Sequence, residues 1–584
     1  MSMSKQESLN INQLPVEVLS KIFSYLKVRH RKISSLVCIK WRNATRCPSF
    51  YRTLRLHKGL YIDEPPLSLF QNSYHPFSVI IFEDIDEFTQ DISEFWKVVT
   101  DSVRELHFMS CEGLNAEVLS MLLTHLPNVR KIKVTGTNSL SSCKLERDFE
   151  NVKILDLKDT EMPAWYIEPL AQSFPNLREL NLGSYTYDGW DAHEEHLLNV
   201  SPTATNTPFG DWVKNLCKLA PKVTLTYDYE VVMRTETILK EFLEVENLEI
   251  RSLNIKIEGL SIQMLQKFIE KKGKNLQRFE IPDAHLLKIE HLALLNKNCV
   301  NLREISLRFE EETKVPVLEH LANLTKLEKI AIHGPEAEEF EYVLTTKPLE
   351  FKNLRTLVIF NAKIEGDLKN FQCLVESFPF LTELSLADCI ITPEALQIIY
   401  ETCKSLESLH LECNEQITDN GLFNGKSSVN DLKLLESLNL NGCVNITNQS
   451  LKKFKFKELF RLGLRDVTSV GLDGITELCR NCPTINQLDL NGCSSINDEC
   501  VKVITKSLPH LLDIDLSRTA ITAKSLEFIA DNCLDIKNVD ISYEPPGDSR
   551  AVEKLLQKRI LHFLSALALN NISERLVIPG ELEL

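Results

Sequence analysis

Glycine is scarce in this 584-residue chain, at 19 residues, and none of it forms the glycine-rich turn that cradles a nucleotide phosphate. No apolar run approaches the roughly 18 residues needed to span a bilayer. The most tempting stretch, Ile560 to Leu569, is broken by His562 and Ser565. The first ten residues are polar and lack the apolar segment of a secretory signal peptide. Basic charge is short as well: the net charge is −16, and residues 1–50 at +7 leave −23 on the remainder. An acidic body argues against binding along a phosphate backbone, so neither nucleic acid nor membrane is expected as a partner. Zinc lacks its pattern too. Cys479 and Cys482 form the one Cys-x-x-Cys, with no second pair at finger-like spacing. Sixteen cysteines without a secretion signal imply free thiols in a reducing compartment, cytosol or nucleus.

What the chain has is a beat. From Leu381 to Ile541 an apolar–x–apolar strand recurs seven times, at Leu384/Leu386, Leu409/Leu411, Leu438/Leu440, Leu462/Leu464, Leu488/Leu490, Ile514/Leu516 and Val539/Ile541. Successive steps are 25, 29, 24, 26, 26 and 25 residues. A period in the twenties with a Leu-x-Leu strand marks a leucine-rich repeat. One such unit cannot cover its own apolar face, so it folds by stacking on its neighbours. The beat extends backwards through Ile359, Ile332, Leu307, Ile281 and Ile255. It extends before that through Leu182, Leu157, Val134, Phe108, Ile81 and Leu56. A polar stretch near 183–210 interrupts it and is expected to loop out of one repeat, with an irregular strand around Thr224 to Tyr229.

Each strand leads into a helix. Leu292/Leu295/Cys299, Leu396/Ile399/Cys403, Ile475/Leu478/Cys482 and Leu526/Ile529/Cys533 share one spacing and form a face turned to the sheet. Thr392, Thr418, Thr447, Asn497 and Thr522 stand where helix caps belong. The spacing predicts a parallel sheet on the concave face of a horseshoe and helices on its convex face. After Ile541 the period stops, and Val552 to Leu569 is expected as a helix that closes the last repeat.

Residues 12–50 follow a different pattern: Val18, Leu19, Ile22, Phe23 and Leu26 at helical spacing, then a second helix with Ile33, Leu36, Val37 and Trp41. So small a segment cannot bury all of these side chains by itself. The run Leu14-Pro15-Val16-Glu17-Val18-Leu19-Ser20-Lys21-Ile22-Phe23-Ser24-Tyr25-Leu26, followed by Leu36-Val37-Cys38-Ile39-Lys40-Trp41-Arg42, closely resembles an F-box. The basic linker between its helices, Val28 to Lys32, departs from the acidic or neutral turn of many members. The repeats, each a strand, a turn and a true helix, resemble the cysteine-containing class of leucine-rich repeats that F-box proteins commonly carry. The expected fold is therefore an α/β solenoid behind a small all-α head. The F-box would occupy 1–50, the array 51–541, and a cap and tail 542–584. The resemblance implies docking onto the Skp-type adaptor of a cullin–RING (SCF) ubiquitin ligase through Leu14, Pro15, Ile22, Phe23, Leu26, Val37 and Trp41.

No catalytic constellation stands out. Cys111, Cys389, Cys443 and Cys493 each lie three residues after a strand's last apolar position, and Cys413 lies two after its own. Such recurrence suits a small, soft, buried side chain rather than a metal ligand. His107 with Cys111, and His410 with Cys413, are the nearest approaches to a nucleophile and base. In each pair the His belongs to an exposed strand position and the Cys to the interior turn, so they should point apart. The concave strip is the remaining candidate, with His410, Glu412, Asn439, Asn441, Arg465, Asp489, Asn491 and Asp515 as substrate-binding residues. Earlier repeats present Pro282, Arg308, His333 and Phe360 there. The expected function is non-catalytic: holding a protein substrate for ubiquitination, with no cofactor and no metal. The rival is a protein-interaction scaffold with no ligase role. A small polyanion receptor ranks last, because Lys158, Arg308 and Arg465 are many repeats apart.

Overall fold

A computed structural model describes residues 14–23, 34, 37–45, 53–57, 77–85, 88, 102–136, 144–160, 164–182, 217–218, 220, 222–228, 235–255, 260–281, 289–308, 316–334, 345–364, 368–423 and 425–541. Leu26, the linker 28–32, the stretch 183–210, Pro282 and the expected C-terminal helix lie outside the described residues. The chain forms two compact units, divided between Thr224 and Leu225.

The first unit begins with helices Val16–Phe23 and Ile39–Thr45. They share a core of Leu19, Phe23 and Ala44, with Leu14, Val16 and Trp41 packed against it. The Ser20 hydroxyl donates to the Ala44 carbonyl at 2.9 Å and ties the two helices. Six strands follow: Thr53–His57, Val79–Glu83, Glu105–Met109, Lys131–Thr135, Ile154–Asp159 and Glu179–Leu182. Each pairs in parallel with the next. One register differs from expectation. Ile80 and Phe82 are buried in the strand Val79–Glu83 and Ile81 is half-buried, so Phe82, aligned with Leu56 and Phe108, is the interior residue. Three apolar residues in a row, Val79-Ile80-Ile81, hide the alternation that decides register elsewhere.

The second unit runs from the strand Leu248–Asn254 to the strand Asn538–Asp540, and here too every successive ladder is parallel. Parallel neighbours require a crossover, and each repeat supplies one over the back of the sheet. The interior positions are shut: Leu384, Leu386, Leu409, Leu411, Leu438, Leu440, Leu462 and Leu464 are all 0% exposed. The helix faces read from the spacing, including Leu292, Leu295, Cys299 and Ile475, are buried as well. Thr392, Thr447, Asn497 and Thr522 accept hydrogen bonds from their helices' first amides, as caps do.

The repeats are stitched in three ways that sequence spacing alone does not reveal. Two residues after the last interior position the backbone turns left-handed, at Asp84, Ser110, Gly136, Asn361, Asp388, Cys413, Gly442, Asp466, Gly492 and Arg518. From there the amide reaches the next repeat: Cys413 N–H to the Asn441 carbonyl at 2.8 Å, Gly442 to Arg465 at 2.7 Å, Asp466 to Asn491 at 2.7 Å. The next residue points inward. The Cys443 thiol donates to the Leu411 carbonyl and the Cys493 thiol to the Leu464 carbonyl, both at 3.0 Å. Cys413, expected in an interior turn, is instead exposed in the left-handed position, and Asn414 takes the interior one. The Asn414 amide donates to the Leu386 and Leu411 carbonyls and accepts from Cys389 N–H, all within 2.8 Å.

The second stitch joins helix starts. Asp419 accepts from Thr447 and Ser450 of the next repeat, and Asp498 accepts from Thr522 and Ser525. The third holds repeats whose preceding segment is extended. The buried Ser173 hydroxyl accepts from Leu145 N–H, and Ser377 accepts from Leu349 N–H, each at 2.8 Å. Both serines stand in a Ser-Phe-Pro triplet.

Two outcomes test this packing. Burial pushes the thiols of Cys389, Cys443, Cys479 and Cys493 up to about 12. Alkylation of the native protein should therefore modify exposed Cys38 and Cys413 first, with these four protected until unfolding; mass spectrometry that finds Cys443 or Cys493 labelled early would refute their interior placement. The second concerns acid. Burial would raise Asp419 and Asp498, but the hydroxyl and amide donors outweigh it and hold both below the ordinary 3.8. Their stabilisation is present above that value and disappears as pH falls through the lower folded value. Asp419→Asn with Asp498→Asn should lower the urea midpoint at pH 7 and converge on the wild type only as pH falls from 3.8 through the lower folded value. Parallel pH profiles would show that neither carboxylate carries the stitch.

Candidate functional site

Among its described residues, the head exposes four large apolar side chains. Val18 and Ile22 are 42% and 37% exposed, Val37 is 57% and Ile39 is 74%. Val18 and Ile22 stand four residues apart, hence on one helix face. Leu19 and Phe23, also four apart, occupy the neighbouring face and point into the core. Of the residues expected to dock, Pro15, Ile22 and Val37 are exposed, while Leu14 and Trp41 are half-buried. Phe23, also expected to dock, is 2% exposed, with its ring 5.1 Å from that of Trp41, and packs between the two helices. Val18 and Ile39 were not anticipated. The signal was available for Val18 in its four-residue spacing from Ile22, whereas Ile39 begins its helix, where periodicity is not yet legible.

The concave strip of the second unit is a hydrogen-bonded ladder rather than a row of free side chains. Asn439 donates to Glu412 at 2.7 Å. Asn441 donates to Asp489 at 3.3 Å, and its own side-chain carbonyl accepts from Arg465 N–H at 2.7 Å. The Arg465 guanidinium lies 3.4 Å from Asp489 and 3.6 Å from Asp515, and Asn491 donates to Asp515 at 3.0 Å. These six strip residues, Asn439, Asn441, Arg465, Asp489, Asn491 and Asp515, are thus brought together with Glu412. His410 stands beside them, its Nε2 2.8 Å from the Ser408 hydroxyl. Arg518 was missed: it donates to Asn491 at 2.8 Å and to Asp466 at 3.0 Å, bridging two repeats. Its left-handed position follows from strand register, which the spacing gives only approximately.

Two glycines make the ladder possible. A Cβ on Gly463 would stand 2.6 Å from the Asn441 side-chain oxygen and 2.7 Å from that of Asn439. At Gly492, φ is +74° and a Cβ would collide with the Asp466 carboxylate that Arg518 holds. Burial, with the Asp515 charge beside it, raises Asp489 above the usual carboxylate value against the pull of the Asn491 amide and Arg465. The electrostatic character of this strip is an excess of carboxylate in a partly desolvated place.

The pairs weighed for nucleophilic chemistry are not assembled. His107 engages Glu105 at 3.1 Å while the Cys111 thiol turns to the Met109 carbonyl, and His410 engages Ser408. Among the described residues no group of three His, Cys, Asp or Glu is placed to hold a metal ion. No helix among them is long and apolar enough to cross a membrane.

Residues 11–57 match the family model described as F-box-like, and residues 316–420 match that of the FBD-associated F-box protein At5g56370 leucine-rich repeats. A stretch of 149 residues, 25% of this chain, is 28% identical to the BTB/POZ domain-containing protein FBL11 of Arabidopsis thaliana and covers 15% of it. A stretch of 300 residues, 50% of this chain, is 22% identical to F-box/LRR-repeat protein 4 of Bos taurus and covers 36% of it. The matches thus span 15% and 36% of the length of these two curated relatives. Among solved structures, the complex of Rad7 and Elc1 in yeast is similar at 16% identity and a TM-score of 0.36, over 59% of this chain and 85% of that one. A Leptospira interrogans leucine-rich-repeat protein is similar at 17% identity and a TM-score of 0.31, over 77% of this chain and 98% of that one. At those scores neither fixes the fold, which stands on the strand ladders described above. Head and repeats are thus matched separately: the head is similar to the F-box, and the repeats are similar to those of F-box/leucine-rich-repeat proteins.

Proposed function

We propose that this chain is the substrate-recognition subunit of an SCF-type ubiquitin ligase, its head docked on a Skp-type adaptor and its repeats holding a protein substrate. The observation that carries the reading is the exposed apolar set Val18, Ile22, Val37 and Ile39 on a head that matches the F-box model. Side chains this apolar, gathered on so small a segment, favour a partner that removes them from water, at roughly 25 cal/mol per Å² covered. The reading assigns no covalent step to this chain. Its contribution is proximity, keeping a substrate lysine near the thioester that another subunit carries. Cytosol and nucleus are the compartments in which such a complex would work, in keeping with the free buried thiols.

The test uses the full chain with a purified Skp-type adaptor. Val37→Asp with Ile39→Asp places two charges on the exposed face without touching Leu19, Phe23 or Ala44. Adaptor binding should fall at least tenfold with the thermal transition unchanged. Undiminished binding would dismiss the docking face and favour a scaffold without a ligase role. Phe23→Ala is the contrasting variant. It removes a buried ring, which costs on the order of 3–5 kcal/mol in a packed core, so it should unfold the head and lose adaptor binding for that reason.

A further inference from the structure

The concave face of the second unit changes character along its length. On the strands Lys329–His333, Thr356–Phe360 and Glu383–Ala387 the register sets Ala331 beside Val358 and Ser385, and His333 beside Phe360 and Ala387. Ala331 and Ala387 are short and nearly buried, at 6% and 4% exposed, so the half-buried Val358 stands between Ala331 and Ser385, and the half-buried Phe360 between His333 and Ala387. The His333 ring centroid lies 6.1 Å from that of Phe360. Burial, with Arg308 and Lys329 nearby, lowers its pKa, so it is neutral at pH 7. From Ser408 onward the same positions are polar.

The polar part carries a surplus of negative charge. Counting strand faces and left-handed positions from Glu383 to Asp540, eight carboxylates stand against three guanidiniums. Two of the three are already committed, Arg465 to Asp489 and Asp515 and Arg518 to Asp466. One guanidinium shared by two carboxylates leaves a charge that a cation from outside could neutralise.

We propose that this face binds an extended segment of a partner protein bearing an apolar or aromatic anchor for the Val358–Phe360 patch and two or more lysines or arginines for the Asp489–Asp515 region. Five ladders separate the strands of these two regions. At about 4.8 Å per ladder that is roughly 24 Å, the reach of about seven extended residues. The inference rests on the substrate-recognition reading and names the class of substrate. Charge complementarity sets the partner's sign and its salt dependence.

A randomised library of 14-residue peptides displayed on phage, panned against the full chain, tests it. Enriched sequences should pair an aromatic or branched aliphatic residue with basic residues about seven positions away. Asp489→Asn with Asp515→Asn keeps side-chain size and should weaken a selected peptide about tenfold at low salt, less at 0.5 M salt. Val358→Ser with Phe360→Ser should weaken it without changing that salt dependence. Absent enrichment, enrichment of acidic or purely apolar sequences, or binding indifferent to the Asp pair would each overturn the proposal. Adaptor binding measured on the same variants reports the head alone, so it separates this failure from failure of the ligase reading.

Discussion

The left-handed residue after each strand is the constraint from which the rest of the array follows. A parallel strand must leave the sheet at its end and cross behind it. Here it does so by a single residue at positive φ, a conformation unfavourable for most side chains. Glycine relieves that cost at Gly136, Gly442 and Gly492, but Asp388, Cys413, Asp466 and Arg518 bear it. What sustains the first three is the neighbour: the amides of Asp388, Cys413 and Asp466 are each taken by a carbonyl one repeat along. The turn therefore holds only when the next repeat is in place. Its consequence is the residue that follows: Asn414, Cys443 and Cys493 turn inward there and satisfy carbonyls left behind.

Much of this was legible because it is periodic. Leucine spacing gave the strands and the helix faces, and polar residues at helix starts gave the caps. What was not legible comes from local ambiguity or from contacts between distant residues. Val79-Ile80-Ile81-Phe82 offers apolar residues on both faces, so only its pairing with Leu56 and Phe108 selects Phe82 over Ile81. Cys413 and Asn414 are adjacent and both fit a cysteine-or-asparagine pattern, and the pattern alone cannot say which one turns inward. The Asp466–Arg518 bridge spans 52 residues and appears only once two repeats are stacked. Of the head, the helices could be read, but the division between Leu19 and Phe23 inside and Val18 and Ile22 outside depends on where the second helix lies.

On the concave strip the demands of stacking and of recognition meet in the same side chains. Asn439, Asn441 and Asn491 serve the stack, since each bonds a neighbouring repeat or holds a strand end. Asp489 and Asp515 serve it as well, but one guanidinium between two carboxylates is not neutral. The strip is rigid because its amides are satisfied and acidic because its carboxylates are not fully paired. A surface of that kind enters binding with little ordering left to do, so less of a ligand's interaction energy is spent on the protein.

The head follows the opposite logic. Its helices are 8 and 7 residues long, below the length at which a helix is stable by itself in water. Among the described residues of the head, Leu19, Phe23 and Ala44 form an enclosed core, while Val18, Ile22, Val37 and Ile39 are exposed. Under the proposed reading, the partner's apolar surface would complete what this short segment begins, and the energy of docking would be in part energy of folding. Substitutions in the core and on the surface of the head would then both weaken docking, but by different routes: the first raises the population of unfolded head, the second removes contacts from a folded one. The exposed isoleucine and valine side chains are the ones whose loss would report recognition itself, because they lie outside the core of Leu19, Phe23 and Ala44.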